Sequence, residues 1–304
     1  ILRVLQPGYN GVLGDTQLRQ QVQDRIGCDF SAAKLETYYS CPFSFLAAYV
    51  WRQNLEPEAQ EGLEPSAQGT LLHKTLENFM KRQLKAGLRP EQRERYLQEL
   101  EEDFTAACED MIRAGKISDS EFWPADRQDL WEELKRWLEA ELAYAAAWAY
   151  RPEAVEAAFG GRGQGQPALK LAVPTEQGLK NITVQGRIDR LEAQEHKYFI
   201  SDYKNSKAPA QKEFLHSDLQ LPLYLTAAQA VLRQKDPLAQ VVGGGYYILR
   251  RGVRLNNFVL AEYAGEMPFK SYAACQEGKI ATLAELEQQV KLTVGGLISR
   301  MDGG

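Results

Sequence analysis

Long apolar runs, paired cysteines and nucleotide-binding loops are all missing from this chain, and each gap removes a class of protein. No hydrophobic stretch approaches a bilayer span and no secretory leader opens the sequence, so a soluble cytoplasmic protein without membrane association is expected. The four cysteines, Cys28, Cys41, Cys108 and Cys275, show no CxxC spacing, and disulfides are not expected in a reducing compartment. No GxxxxGKS/T loop occurs, so the chain is not expected to bind ATP by that route, and any motor must lie elsewhere. Gly163-x-Gly165 is no dinucleotide fingerprint, because no helix follows it to receive a phosphate. Excess positive charge is missing too. Lys and Arg number 36 against 41 Asp and Glu, and the net charge of −5 is the wrong sign for gripping a phosphate backbone by bulk electrostatics.

What remains is a chain of 304 residues, 44% hydrophobic and 25% charged, which can bury a large core as one domain or two intimate halves. It starts at Ile1 without a methionine, which points to a fragment of something longer. Acidic residues gather between about 90 and 141. Lys204, Lys207 and Lys212 fall together, and Arg250, Arg251 and Arg254 cluster further on; these basic groups are either solvated loops or a local basic groove on an acidic body.

Residues 1–30, with turn signals at Pro7-Gly8 and Asn10-Gly11, read as a lead-in from an upstream region. A helical half follows over 31–150. Ser31 caps a short helix that Cys41-Pro42 breaks, and Phe43 to Trp51 make a second. Ser66 caps a helix whose buried stripe is Leu72, Leu76, Phe79 and Met80, with His73 beside the stripe and Gly69 near the start. A glycine there costs ~1 kcal/mol relative to alanine, so close approach of another backbone or of a substrate is expected at Gly69. Residues 90–112 and 126–149 read as an outer helical layer without chemistry.

From 151 the period changes to that of strands: 154–159, 168–173, 182–191, 198–202, 241–249 and 255–260, with helices at 217–232 and 282–301. Strands mixed with helices in this pattern predict an α/β fold, a mixed sheet covered on both faces, over 151–304. Residues 31–304 are expected to form one structural domain.

Chemistry concentrates where two of these strands meet. Gly186-Arg-Ile-Asp189-Arg190 and Ser201-Asp202-Tyr203-Lys204 form a hairpin that brings Asp189 near Asp202, and adjacent carboxylates repel unless a cation or proton lies between them. A hard divalent metal suits such oxygen ligands; a solvated hairpin with an incidental ion pair is the alternative. An acid-x-Lys triplet also occurs at Glu133, Glu195 and Glu277, but only Asp202-x-Lys204 ends an apolar strand run. On the next helix Gln220 and Tyr224, four apart, share a face.

Taken in order, Ser31–Phe45 (with Glu36, Tyr38 and Cys41-Pro42-Phe43), Gly69-x-x-x-His73, Gly186-x-Ile-Asp189, Asp202-x-Lys204 and Gln220-x-x-x-Tyr224 resemble the RecB/AddB-like branch of the PD-(D/E)xK nucleases. The resemblance implies a restriction-endonuclease-like core and a Mg²⁺- or Mn²⁺-dependent DNA exonuclease working with a helicase partner on single-stranded or duplex DNA ends. His73, Asp189, Asp202 and the backbone carbonyl of Tyr203 would then bind the metal, with Asp189, Asp202, Lys204, Gln220 and Tyr224 as the catalytic set. Glu156, on the first strand, lies either on the surface or in rough alignment with an acidic residue of the family. Many such relatives hold a 4Fe–4S cluster through the Cys-Pro-Phe cysteine and three more beyond the final helix. Cys41 matches the first, but this chain reaches Gly304 without the triplet, so a cluster is expected only if the natural chain continues. A non-catalytic DNA-binding scaffold, or an exonuclease of the CRISPR-adaptation or phage type, are the rival readings.

Overall fold

The computed structural model describes residues 15–53, 62–118, 120–161, 166–266 and 280–303. The turns at Pro7-Gly8 and Asn10-Gly11, the Gly163-x-Gly165 segment and Cys275 lie outside the described residues. Among the described residues no helix is long and apolar enough to cross a membrane.

The Gln-rich end of the predicted lead-in is a helix, α1 (Thr16–Ile26), capped by Asp15, and Ile26 enters the core. A three-residue strand β1 (Asp29–Ser31) follows, and the Ser31 hydroxyl caps α2 (Ala32–Ser40) by accepting from the Lys34 amide. Cys41 then caps a single turn, α3 (Pro42–Phe45), which runs into a π-helical turn, Leu46–Val50. Helix α4 (Pro65–Arg82) begins one residue before the predicted Ser66 cap. Proline fits the first turn because its missing N–H would have no intrahelical partner there. Helices α5 (Arg93–Arg113) and α6 (Trp123–Ala147) complete this layer.

The strands that follow, β2 (Arg151–Phe159), β3 (Leu169–Thr175), β4 (Gly178–Gln194), β5 (Lys197–Lys204), β6 (Gln240–Ile248) and β7 (Val253–Val259), join β1 in a seven-stranded mixed sheet. Its spine is the long β4. One half of β4 pairs with β1 and β3, the other with β2 and β5, and the sheet continues through β6 to β7. The β1–β4 and β5–β6 pairs are parallel and the rest antiparallel. Helix α7 (Gln220–Lys235) crosses between β5 and β6, and α8 (Leu283–Gly303) closes the chain.

Two large apolar cores form among the described residues, with a smaller cluster of Trp148, Tyr150, Phe199, Val242 and Val259 beside them. Leu221, Leu225, Leu286, Val290 and Val294 of α7 and α8 pack on Ile182, Val184 and Ile200. Leu72, Phe79, Phe104, Trp137 and Leu138 of α4, α5 and α6 pack on Tyr203 and Tyr247. Strand β5 shows how the period of two sorts its residues: Tyr203 joins the α4–α6 core, whereas Asp202 and Lys204 both meet Gln220 on the α7 side.

The outer helical layer is not free of charge chemistry. Arg190 of β4 and Arg254 of β7 are buried with Glu141 of α6 and Glu192 of β4. Arg190 donates to Glu141 and Glu192 at 2.6 Å each, and Arg254 donates to Glu192 at 3.1 Å. Arg254 therefore belongs to an internal ion network and not to a surface basic groove with Arg250 and Arg251. The rings of Trp148, Tyr247 and Tyr144 flank its guanidinium at 4.9, 5.0 and 5.3 Å.

Candidate metal centre and catalytic site

Helix α4 aims His73 at the sheet. Its Nδ1 lies 3.6 Å from Asp189 Oδ1 and 3.6 Å from Glu156 Oε1, and the ring packs edge-on against Tyr203 with centroids 5.9 Å apart. The β2–β4 register explains why the two acids meet. Val155 pairs with Arg190 and Ala157 with Ile188, which leaves Glu156 and Asp189 between those pairs. Glu156 holds a left-handed φ of +48°, a conformation that costs on the order of 1 kcal/mol or more for a residue with a side chain. A strand residue of this kind is held by its surroundings, and here they aim its carboxylate at His73.

The donor atoms of His73, Glu156 and Asp189 all lie within 4.8 Å of one another. Electrostatics make the same point. Burial and the charge of Asp202 push the Asp189 carboxyl up to about 8. Burial alone would lower His73, but its bond to Glu156 and the charges of Asp189 and Asp202 carry it up to about 9. Both shifts favour the protonated form of Asp189 and His73, the direction expected where acidic groups crowd together without a cation. One imidazole nitrogen and two carboxylates, with the buried carboxylate of Asp202 close enough to shift both, form a donor set that fits a divalent cation.

Asp202 itself is engaged elsewhere. Its Oδ2 lies 2.7 Å from Lys204 Nζ and its Oδ1 accepts from Gln220 Nε2 at 2.6 Å, while Gln220 Oε1 accepts from Lys204 Nζ at 2.8 Å. Burial would depress the Lys204 ammonium, but the Asp202 carboxylate holds it above its ordinary value. The Tyr203 amide donates to Asp189 Oδ2 at 2.7 Å, so β5 fixes the orientation of the acid opposite. Tyr224 is buried at the base of the site. Its hydroxyl accepts from the Arg187 amide at 3.5 Å, and its ring lies so close to β4 that a Cβ at Gly186 would come within 2.6 Å of it. The glycine of the Gly-x-Ile-Asp stretch thus gives Tyr224 room.

The structure brings together every residue singled out on the strands, with His73, Gln220 and Tyr224. Of the two positions open to Glu156, the structure has it beside His73 together with Asp189. Among the described residues no atom beyond its own helix backbone lies within 4 Å of where a Gly69 Cβ would stand, so no other backbone makes the close approach that was one of the two expectations there. Instead Gly69 lines an open groove of about 450 Å³ with Thr70, His73, Lys74, Glu156 and Arg187. The Cys41 thiol accepts from the Ser44 amide at 3.4 Å, and its hydrogen bonding with Ser44 lowers its pKa. Cys28 is exposed and Cys108 buried.

A mixed sheet with two strand carboxylates, a lysine two residues beyond the second and a helical histidine against the first defines an α/β domain of the nuclease type. The chain belongs to the PD-(D/E)XK nuclease superfamily, which it matches over residues 29–303, and the fold is accordingly restriction-endonuclease-like. It is 27% identical over 232 residues to an ATP-dependent helicase/deoxyribonuclease subunit from Moorella thermoacetica, covering 72% of this chain and 19% of that protein. The equivalent helicase/deoxyribonuclease subunits from Symbiobacterium thermophilum (27% over 237 residues, 72% and 19%) and Levilactobacillus brevis (28% over 270 residues, 81% and 21%) are similar. The chain thus spans about a fifth of the length of these relatives.

Proposed function

We propose that this chain is a Mg²⁺- or Mn²⁺-dependent DNA exonuclease, the nuclease part of a helicase-nuclease that processes DNA ends with a partner protein. The observation that carries the reading is the meeting of His73, Glu156 and Asp189 beside the Asp202–Lys204–Gln220 triangle. The superfamily membership and the names of the similar proteins support it.

His73, Glu156 and Asp189 would hold the cation, with Asp202 and the Tyr203 carbonyl as further oxygen donors next to them. When bound, a divalent ion polarises a phosphate oxygen and acidifies a water. Lys204 orients that water and offsets negative charge as it grows on the phosphoryl oxygens, where a fixed positive charge is worth most in a site shielded from solvent. Gln220 fixes Lys204 and Asp202 relative to one another. Tyr224 supports the β4 backbone just ahead of Asp189. The groove past Gly69, with Lys74 and Arg187 on its walls, is an open approach for a nucleic-acid strand.

The purified chain incubated with linear DNA and Mg²⁺ tests this. Mononucleotide or short oligonucleotide release is expected, with loss in Asp189→Asn and Lys204→Ala. Undiminished activity in both variants would remove the mechanism. Absence of cleavage by the parent chain, with DNA still bound, would favour a scaffold.

A further inference from the structure

Glu36 lies on α2, far along the chain from the strands that carry the site, yet it touches the start of α7. Its Oε1 accepts hydrogen bonds from the backbone amides of Leu219 at 2.8 Å and Gln220 at 2.9 Å. The amides of a helix's first turn have no partner within the helix, and Leu219, at the cap position, offers no side chain to receive them. Asp218 takes up the Leu221 amide, and Pro222 has none to offer. Glu36 thus accounts for two of the donors that the helix cannot satisfy itself, and a carboxylate there is also favoured by the helix dipole.

Gln220 is the residue held in this way, and it is also the one that bridges Asp202 and Lys204 at 2.6 and 2.8 Å. A displacement of its backbone moves the contact that orients the lysine. We propose that Glu36 is a positioning residue: from α2 it pins the first turn of α7, and through Gln220 it sets Lys204 against Asp202. The proposal rests on the nuclease reading of Lys204. It adds a role for the Ser31–Phe45 segment, whose Glu36 otherwise reads as an ordinary helix side chain.

The test combines Glu36→Ala, Glu36→Gln, Gln220→Ala and the Glu36→Ala/Gln220→Ala double variant in steady-state cleavage of linear DNA with Mg²⁺. Misplacing a catalytic group by a fraction of an ångström lowers turnover by about 10- to 100-fold, so Glu36→Ala is expected to lose kcat in that range with little change in KM. Glu36→Gln keeps an oxygen able to accept both amides and is expected to recover most of the loss. In the Gln220→Ala background the Glu36→Ala change is expected to add less than about twofold, because the two act in series. Equal losses for the Ala and Gln variants, additive losses in the double variant, or a loss that tracks the unfolded fraction overturns the proposal. The NMR signals of the Gln220 side-chain amide give a readout that needs no cleavage. They are expected to move in Glu36→Ala and stay in place in Glu36→Gln, and signals unmoved in both overturn the positioning role even if the parent chain cuts no DNA. A parent chain without activity, by itself, sinks only the nuclease reading.

Discussion

Asp202 and Lys204 face each other at 2.7 Å on one side of β5, with Tyr203 between them turned to the other core. The spacing of two follows from the strand period, and the strand delivers both groups to the same side as Gln220. Lys204→Ala is expected to lower kcat by about 10²- to 10³-fold with the fold retained. Lys204→Arg is not expected to rescue it, because a planar fork cannot replace a compact ammonium between Asp202 and Gln220. Circular dichroism alongside the kinetics separates loss of chemistry from loss of structure. An arginine variant with parental kcat would show that only charge matters at this position.

Protons and a divalent ion compete for the His73, Glu156 and Asp189 cluster. Burial and the charge of Asp202 raise the Asp189 carboxyl, and the bond to Glu156 with the charges of Asp189 and Asp202 raises the His73 imidazole, so in the absence of a cation the cluster is expected to retain protons near neutral pH. Cation binding must expel them, so Mn²⁺ affinity is expected to rise with pH between about 6 and 9. Calorimetric titrations in buffers of different ionisation enthalpy measure the release directly. Binding with no proton release at pH 7 would contradict this account of the cluster. Chelation with EDTA is expected to abolish cleavage and Mn²⁺ to restore it.

Much of this arrangement was legible in the residues, and what was not has a physical cause. Asp202 with Lys204 and Gln220 with Tyr224 stand two and four apart, spacings that are local, while their roles and those of Asp189 and His73 are legible only through the order of motifs that resembles the nuclease family. Glu156 needs the β2–β4 register and a left-handed backbone to reach His73, and neither leaves a trace in the letters around it. Glu141 hides in the same way. Its helix reads as an outer layer without chemistry, and only the assembled sheet brings Arg190 of β4 and Arg254 of β7 beneath it. The purpose of Glu36 is likewise invisible without its partners in α7.

The Gly69 groove allows a test in which stability and activity move in opposite directions. Gly69 sits inside α4 with open space where a Cβ would stand, so Gly69→Ala is expected to stabilise the helix by ~1 kcal/mol. Against the usual scaling with size, that raises Tm by about 2 °C. If a DNA strand crosses this surface on its way to His73, the added methyl raises KM while kcat holds. A more stable variant with unchanged KM would move the strand's path away from Gly69.

The buried ion network ties α6 to the catalytic sheet and should set the acid limit of the fold. Burial alone would raise the Glu141 carboxyl, but Arg190 and Arg254 hold it below the ordinary glutamate range. A group whose folded value is depressed contributes stability above its unfolded pKa of about 4.3, and that contribution is lost as pH falls through the lower folded value. Glu141→Gln removes the charge at every pH and leaves Arg190 and Arg254 sharing Glu192, at an expected loss of about 3–5 kcal/mol at neutral pH. Urea unfolding at pH 7 and at about pH 3, below the unfolded value, checks both statements: the parent should weaken on acidification more than the variant does, since the variant has already lost the group that titrates. The consequence reaches the site, because Arg190 follows Asp189 directly in β4 and also donates to the Tyr203 hydroxyl at 3.5 Å. Loosening the network is therefore expected to weaken Mn²⁺ binding in the fraction that stays folded, and unchanged affinity there would confine the network to a role in stability.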